Sequence, residues 1–195
     1  MRILLVKALE DKIISEGKVL PGNVLKVNGF LNHRLDVSFI KELGKEIARL
    51  FEGCGVNKIL TIETSGIPIA FAAADEMSLP VIFAKKHKSN NISNDVYSVE
   101  IDSFTHGNTY TAVVDKAFLN EGDKILIVDD FLAIGNAVKG LIKMISSANA
   151  ETVGVAVAIE KGFQNGGDRL REQGIRVEAL ALIDSMDDST VTFRK

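Results

Sequence analysis

The sequence predicts an α/β fold: an open, mainly parallel sheet flanked by helices, with an inserted flap hairpin. Three observations point there. From residue 58 onward, short β-branched runs alternate with helical stretches, the pattern of a parallel sheet with crossover helices. Residues 125–128 and 152–159 are nearly continuous apolar runs, as central strands covered on both faces require. Glycine is frequent and proline rare, 16 against 3, which fits tight turns between elements better than disordered linkers.

The elements follow in order. An apolar run at residues 3–6 continues at helical spacing through Leu9, Ile13 and Ile14, so it reads as a packed amphipathic helix. At four residues it is too short for a membrane span or a secretory core. Pro21, Gly22 and Asn23 mark a turn, and residues 24–31 are expected to be extended, ending at Asn32 and His33. Asp36 is an N-cap candidate. Beyond it Phe39, Ile40, Leu43, Ile47, Leu50 and Phe51 recur at three- and four-residue steps until Gly53 and Gly55, which predicts a helix over 37–52. Residues 58–62 predict a strand, 67–77 an alanine-rich helix and 80–84 a short apolar strand. Residues 97–104 and 109–115 flank His106, Gly107 and Asn108 as an antiparallel hairpin, a flap inserted into the sheet topology. A strand over 124–128, a helix over 136–147, a strand over 152–159, a short helix over 168–173 and a final strand over 176–183 complete the chain. No internal repeat is visible.

Bulk properties narrow the function. A chain of 195 residues, 46% hydrophobic and 25% charged, is expected to fold as one domain over 1–195. The net charge of -3 offers no global positive field for nucleic acid or an anionic membrane, so neither is an expected partner. The single cysteine, Cys54, has no internal disulfide partner, consistent with a reduced thiol in the cytoplasm.

The chemistry concentrates where the strand Ile125-Leu126-Ile127-Val128 runs into Asp129-Asp130. Two carboxylates at the carboxyl end of a central parallel strand sit where open α/β sheets bind ligands. Ala133, Ile134, Gly135, Asn136 and Ala137 then supply small side chains before a helix whose leading N–H groups lack intrahelical partners, donors that suit a phosphate. A ribose 5-phosphate offers both halves of the match, vicinal hydroxyls for the carboxylates and a dianion for the helix. The alternative is a strand-end aspartate pair acting only as a cap. Glu63, Thr64, Ser65 and Gly66 stand at another carboxyl strand end, either as a close-approach loop or as an ordinary helix cap. Lys85, Lys86, His87 and Lys88 follow a third strand, either as a solvated run or as cations for an anionic leaving group.

With these residues the sequence resembles the type I phosphoribosyltransferases, whose signature is a hydrophobic strand, two acidic residues and a small-residue phosphate loop opening a helix. Ile134 departs from it, standing where many members carry a hydroxyl residue. Within the family the likeness is to bacterial xanthine phosphoribosyltransferases. It is carried by Val24-Leu25-Lys26-Val27, Phe30-Leu31-Asn32-His33, Ala84-Lys85-Lys86-His87-Lys88-Ser89, Asp129-Asp130-Phe131-Leu132-Ala133 and Ile159-Glu160-Lys161-Gly162-Phe163.

The resemblance implies a hood built from the first ~35 residues and the segment after 160. It assigns Asp129, Asp130, Lys85 and Lys88 to catalysis, and Leu25, Asn32, Lys161, Phe131 and Phe163 to xanthine. It assigns Ala133 to Ala137 and Glu63 to Gly66 to 5-phosphoribosyl 1-pyrophosphate. Taken alone, Lys161 is equally a surface lysine and Asn32 a turn residue, yet donors suit a base with carbonyl oxygens on both sides, which adenine is not. Some oxo-purine transferases carry an aspartate base where this chain has Ala133, so xanthine is expected to bind already ionised, with Lys161 favouring the anion. Mg²⁺ is expected to arrive with the pyrophosphate rather than in a protein cage, and no organic cofactor is expected. The implied assembly is a homodimer. Two rivals stand: a hypoxanthine/guanine transferase, and a purine-operon regulator using the fold as an effector sensor. The regulator needs a DNA-binding unit, for which the roughly twenty residues before Val24 are expected to be too few.

Overall fold

The structure is a computed structural model that describes residues 2–86, 95–102, 109–187 and 190–194. The chain begins with α1 (Arg2–Glu16), a hairpin of β1 (Lys18–Leu20) and β2 (Val24–Lys26), a single π-helical turn (Asn28–Asn32) and α2 (Val37–Leu50). Then come β3 (Lys58–Ile62), α3 (Ile67–Met77), β4 (Val81–Ala84), β5 (Val96–Asp102), β6 (Thr109–Asp115), β7 (Lys124–Leu132) and α4 (Asn136–Ser147). The chain closes with β8 (Glu151–Lys161), α5 (Gly166–Glu172), β9 (Val177–Met186) and β10 (Val191–Phe193).

Six strands form the central sheet in the order β10-β9-β8-β7-β3-β4. All neighbours pair parallel except β10, which runs antiparallel to β9 at the edge. From β3 the chain builds outward to β4 on one side and returns to add β7, β8 and β9 on the other. The strand order therefore reverses between β3 and β7, and a crevice opens there beyond the carboxyl ends of the strands.

Each face of the sheet buries its own core. One joins α2, α3, the N-terminal hairpin and residues such as Leu126 and Val128; the other joins α4 and the base of the β5–β6 ribbon to Ile125 and Ile127. Successive β7 side chains thus enter opposite cores, which explains the unbroken apolar run. The α2 boundary follows from its cap, since Asp36 accepts a hydrogen bond from Phe39 N at 3.2 Å.

Two expectations need correction. Only Val24–Lys26 of the segment 24–31 is strand; the next residues coil because Phe30 and Leu31, adjacent in sequence, are both fully buried. A strand would send them to opposite faces, whereas the turn buries both, each contributing roughly 1.5–3 kcal/mol. The strand expected over 124–128 continues to Leu132, since β8 pairs with it as far as Leu132 opposite Glu160. The expected hairpin forms: β5 and β6 are a separate ribbon beside the central sheet, tied to the end of β4 by backbone hydrogen bonds between Lys85 and Val113, both 2.9 Å. It is packed toward its base through Val113 and Val114 and toward its tip through Ile101, opposite Tyr110; His106, Gly107 and Asn108 lie outside the described residues. β1 and β10, three residues each, were too short to be expected.

Candidate active site

A cavity of about 680 Å³ occupies the crevice, within the size range of small-molecule sites. β7 delivers the acid pair to it. Asp129 is 5% exposed, Asp130 is half-buried, and Asp130 N–H donates to Asp129 Oδ1 at 3.0 Å. Burial, and then the neighbouring Asp130 charge, push the Asp129 carboxyl well above the usual carboxylate range. Burial also raises Asp130, so the pair titrates as a unit in which holding two charges is disfavoured. Such a pair can both donate to and accept from a vicinal diol.

Ala133, Ile134, Gly135, Asn136 and Ala137 all line the cavity. Gly135 is the N-cap of α4 with φ +89°, a left-handed conformation that glycine adopts at little cost, and no side chain among the described residues caps the helix. Its leading N–H groups are therefore available to an anion, and backbone rather than the apolar Ile134 side chain supplies the donors. The loop is braced from behind by Gly166, where a Cβ would lie 2.0 Å from the Ala133 carbonyl oxygen. Asn136 Nδ2 donates to Asp102 O at 3.0 Å, joining the loop to the ribbon.

The β3–α3 connection supplies a second loop. Glu63, Thr64 and Ser65 line the cavity, with a cis peptide between Glu63 and Thr64. The Glu63 side chain is engaged within the protein, accepting from Lys86 N at 2.6 Å. Gly66 is not among the lining residues and is wedged behind them. A Cβ there would sit 2.3 Å from Thr61 Oγ1 and 2.6 Å from Asp129 Oδ1.

Of the lysine run, Lys86 lines the cavity, its ammonium 5.4 Å from the centroid of the Tyr110 ring. Lys85 does not. It lines a second cavity of about 500 Å³ beside Phe83 and Phe118, because consecutive residues at the end of an extended strand face opposite ways. Lys88 and His87 lie outside the described residues.

On the other side of the acid pair, Leu25, Asn32, Phe131 and Lys161 converge. Lys161 Nζ donates to Asn23 O at 2.7 Å and sits 5.5 Å from the centroid of Phe131. Burial lowers its pKa. Asn32 lines the cavity, and its Oδ1 is buried with no hydrogen-bond partner among the described residues. Phe163 is not among the lining residues; it packs against the core beneath. Tyr110, Asp102 and Asn23 also line the cavity; the sequence marked Asn23 only as a turn residue, and nothing in the local sequence marked Tyr110 or Asp102 as site residues.

The comparisons with known proteins agree with this geometry. The phosphoribosyl transferase domain profile matches residues 37–177. The chain is 51% identical over 191 residues to a xanthine phosphoribosyltransferase of Lachnoclostridium phytofermentans, covering 97% of this chain and 98% of the relative. It is 48% identical over 192 residues to one from Bifidobacterium adolescentis, covering 97% and 100%. Among solved structures, adenine phosphoribosyltransferase of Thermoanaerobacter pseudethanolicus superposes with a TM-score of 0.73 at 18% identity, over 91% of this chain and 98% of that one. The Giardia lamblia adenine enzyme gives 0.75 at 18% identity, with the same coverage. At that identity the likeness speaks for the fold alone. A crevice at the strand-order reversal, an acid pair on β7, an uncapped α4 behind a glycine turn and a profile match across most of the chain place this protein in the phosphoribosyltransferase family.

Proposed function

We propose that this protein is a xanthine phosphoribosyltransferase of purine salvage in the cytoplasm, joining xanthine to 5-phosphoribosyl 1-pyrophosphate to give xanthosine 5′-monophosphate and pyrophosphate. The observation that carries the reading is the convergence of Lys161 and Asn32 on one side of the acid pair with the phosphate loop on the other, in a chain about half identical to xanthine phosphoribosyltransferases.

A ring nitrogen of xanthine bonds to the anomeric carbon while the carbon–oxygen bond to pyrophosphate breaks, and the base gives up one proton. Asp129 and Asp130 hold the ribose hydroxyls, and the Gly135 turn and α4 hold the 5-phosphate. The 63–66 loop cradles the pyrophosphate, which enters as its Mg²⁺ complex. Positive charge develops on the sugar as negative charge builds on the leaving group. A prepositioned ammonium therefore stabilises the transition state more than the ground state, a role that falls to Lys86 rather than Lys85. Lys161, displaced from the Asn23 carbonyl, donates to an exocyclic oxygen and favours the base anion; its burial strengthens a charge-assisted bond. Phe131 offers a face for the purine. Exposed Phe71, Phe83 and Phe118 provide apolar surface for a homodimer, which sedimentation would detect.

Pyrophosphate release from the activated sugar, measured separately with xanthine, guanine, hypoxanthine and adenine, tests the reading. Xanthine is expected to give the highest kcat/KM and adenine none. Faster turnover of guanine or hypoxanthine would overturn the base assignment, and turnover with none of the four would overturn the activity.

A further inference from the structure

Thr61 stands on β3, the strand that pairs with β7 at the strand-order reversal, and it is not among the residues lining the cavity. Its side chain is fully buried, and its hydroxyl has no hydrogen-bond partner among the described residues. An isolated buried hydroxyl is unfavourable, so its retention asks for a state in which it is satisfied. The geometry identifies the partner. Thr61 Oγ1 and Asp129 Oδ1 both lie within 2.6 Å of the single point where a Gly66 Cβ would be, so the missing methyl of Gly66 is what allows hydroxyl and carboxyl to approach. In the present arrangement Asp129 Oδ1 accepts from Asp130 N, and a carboxylate oxygen has a second lone pair for another donor.

We propose that Thr61 is a positioning residue for the acid pair: its hydroxyl donates to Asp129 when that carboxylate is ionised, holding it at the angle that meets the ribose hydroxyls. The mechanical consequence is that β3, the Gly66 turn and the acid pair move as one unit. The inference rests on the phosphoribosyl-transfer reading only for the identity of the ligand. The charged and titratable groups facing Asp129 are Asp130 on its own strand, Lys86 beyond β4 and Tyr110 on β6, while the first turn of α3 brings no acidic residue. Of these groups none is among the atoms met at the Gly66 Cβ position, where Thr61 Oγ1 and Asp129 Oδ1 come together.

The test compares Thr61→Val, which keeps the shape and removes the donor, with Thr61→Ser, which keeps the donor. Thr61→Ala carries the same expectation as Thr61→Val should the valine variant fail to fold. Two readouts are needed: steady-state kinetics, and titration of the Asp129 carboxyl by carbon NMR. A hydroxyl that donates to the ionised form lowers the carboxyl's pKa, so its removal should move the Asp129 titration and the acidic limb of kcat/KM for the activated sugar to higher pH. KM for that substrate should rise about tenfold, the scale of one hydrogen bond to a charged group, with KM for xanthine nearly unchanged. Thr61→Ser should restore both. An Asp129 titration that is the same in wild type and Thr61→Val overturns the proposal. Should wild type turn over no base while the Asp129 titration still moves on Thr61→Val, the functional reading fails and the Thr61–Asp129 contact stands.

Discussion

On the sugar-phosphate side of the cleft, the ligand-facing groups sit on β7 or at the turns just beyond β3 and β7, strands buried on both faces. The base side is assembled instead from a hairpin of two three-residue strands, a π-helical turn, Phe131 on β7 and the last residue of β8. The first region is braced by backbone and by glycines that admit no side chain; the second is anchored by Phe30 and Leu31 in the core and tied across by Lys161 to the Asn23 carbonyl. On the proposed reading, phosphoryl and sugar recognition rest on the central strands and their turns. Choice of base rests largely on elements added at the sheet's edge of the cleft.

Gly66→Ala attacks the sugar-phosphate side where clearance is least. A methyl 2.3 Å from Thr61 Oγ1 and 2.6 Å from Asp129 Oδ1 must displace the acid pair. Turnover should fall on the order of 10²-fold, the cost of a small misplacement, with about 1–3 kcal/mol lost in a urea melt from overpacking. Undiminished pyrophosphate release would show that the pair tolerates movement and would erase the contrast.

Asp130→Asn removes charge while keeping shape. It should lower kcat/KM for the activated sugar roughly tenfold to a hundredfold, since a hydrogen bond to a charged group is lost, and leave the affinity for xanthine nearly intact. Equal effects on both substrates would mean that the two sides are not separable.

Lys161→Met probes the base side. KM for xanthine should rise about tenfold and KM for the activated sugar change little, because Lys161 is tied to the hairpin rather than to the phosphate loop. A matching loss of sugar affinity would instead make Lys161 part of the sugar-phosphate side.

The smallest effect is on stability. A carboxyl raised on folding binds its proton more tightly in the native state than in the unfolded one. Asp129 therefore favours the native state in acid and opposes it increasingly as pH climbs from the ordinary carboxylate range through its raised value. Asp129→Asn should gain on wild type by roughly a few degrees in Tm as pH rises from about 4 to about 8, read by thermal melts. A constant difference across that range would remove burial as the cause of the shift.

The lysine run shows where local reading stops. Lys85 and Lys86 are chemically alike and adjacent, and only the pairing of Lys85 with Val113 on the ribbon determines which ammonium reaches the cleft. Phe163 differs for the opposite reason: it stands two residues from Lys161, yet the short turn at Gly162–Gln164 packs it, partly buried, against the core rather than on the cavity wall. Thr61 and Gly66 were invisible as a pair because their meaning lies in a distance across the sheet from Asp129.

What the amino-acid order determined by itself was everything with a local cause. The apolar runs set the strands, Asp36 and the heptad-like stripe set α2, and Asp129-Asp130 followed by the Gly135 turn marked the candidate site. Tertiary structure decided the order β8-β7-β3-β4 and so the crevice, the seating of the ribbon beside β4, and the placing of Asn32 and Lys161 on the wall of one cavity. Those depend on which buried surfaces meet and on which backbone groups find partners, quantities that no window of neighbouring residues contains.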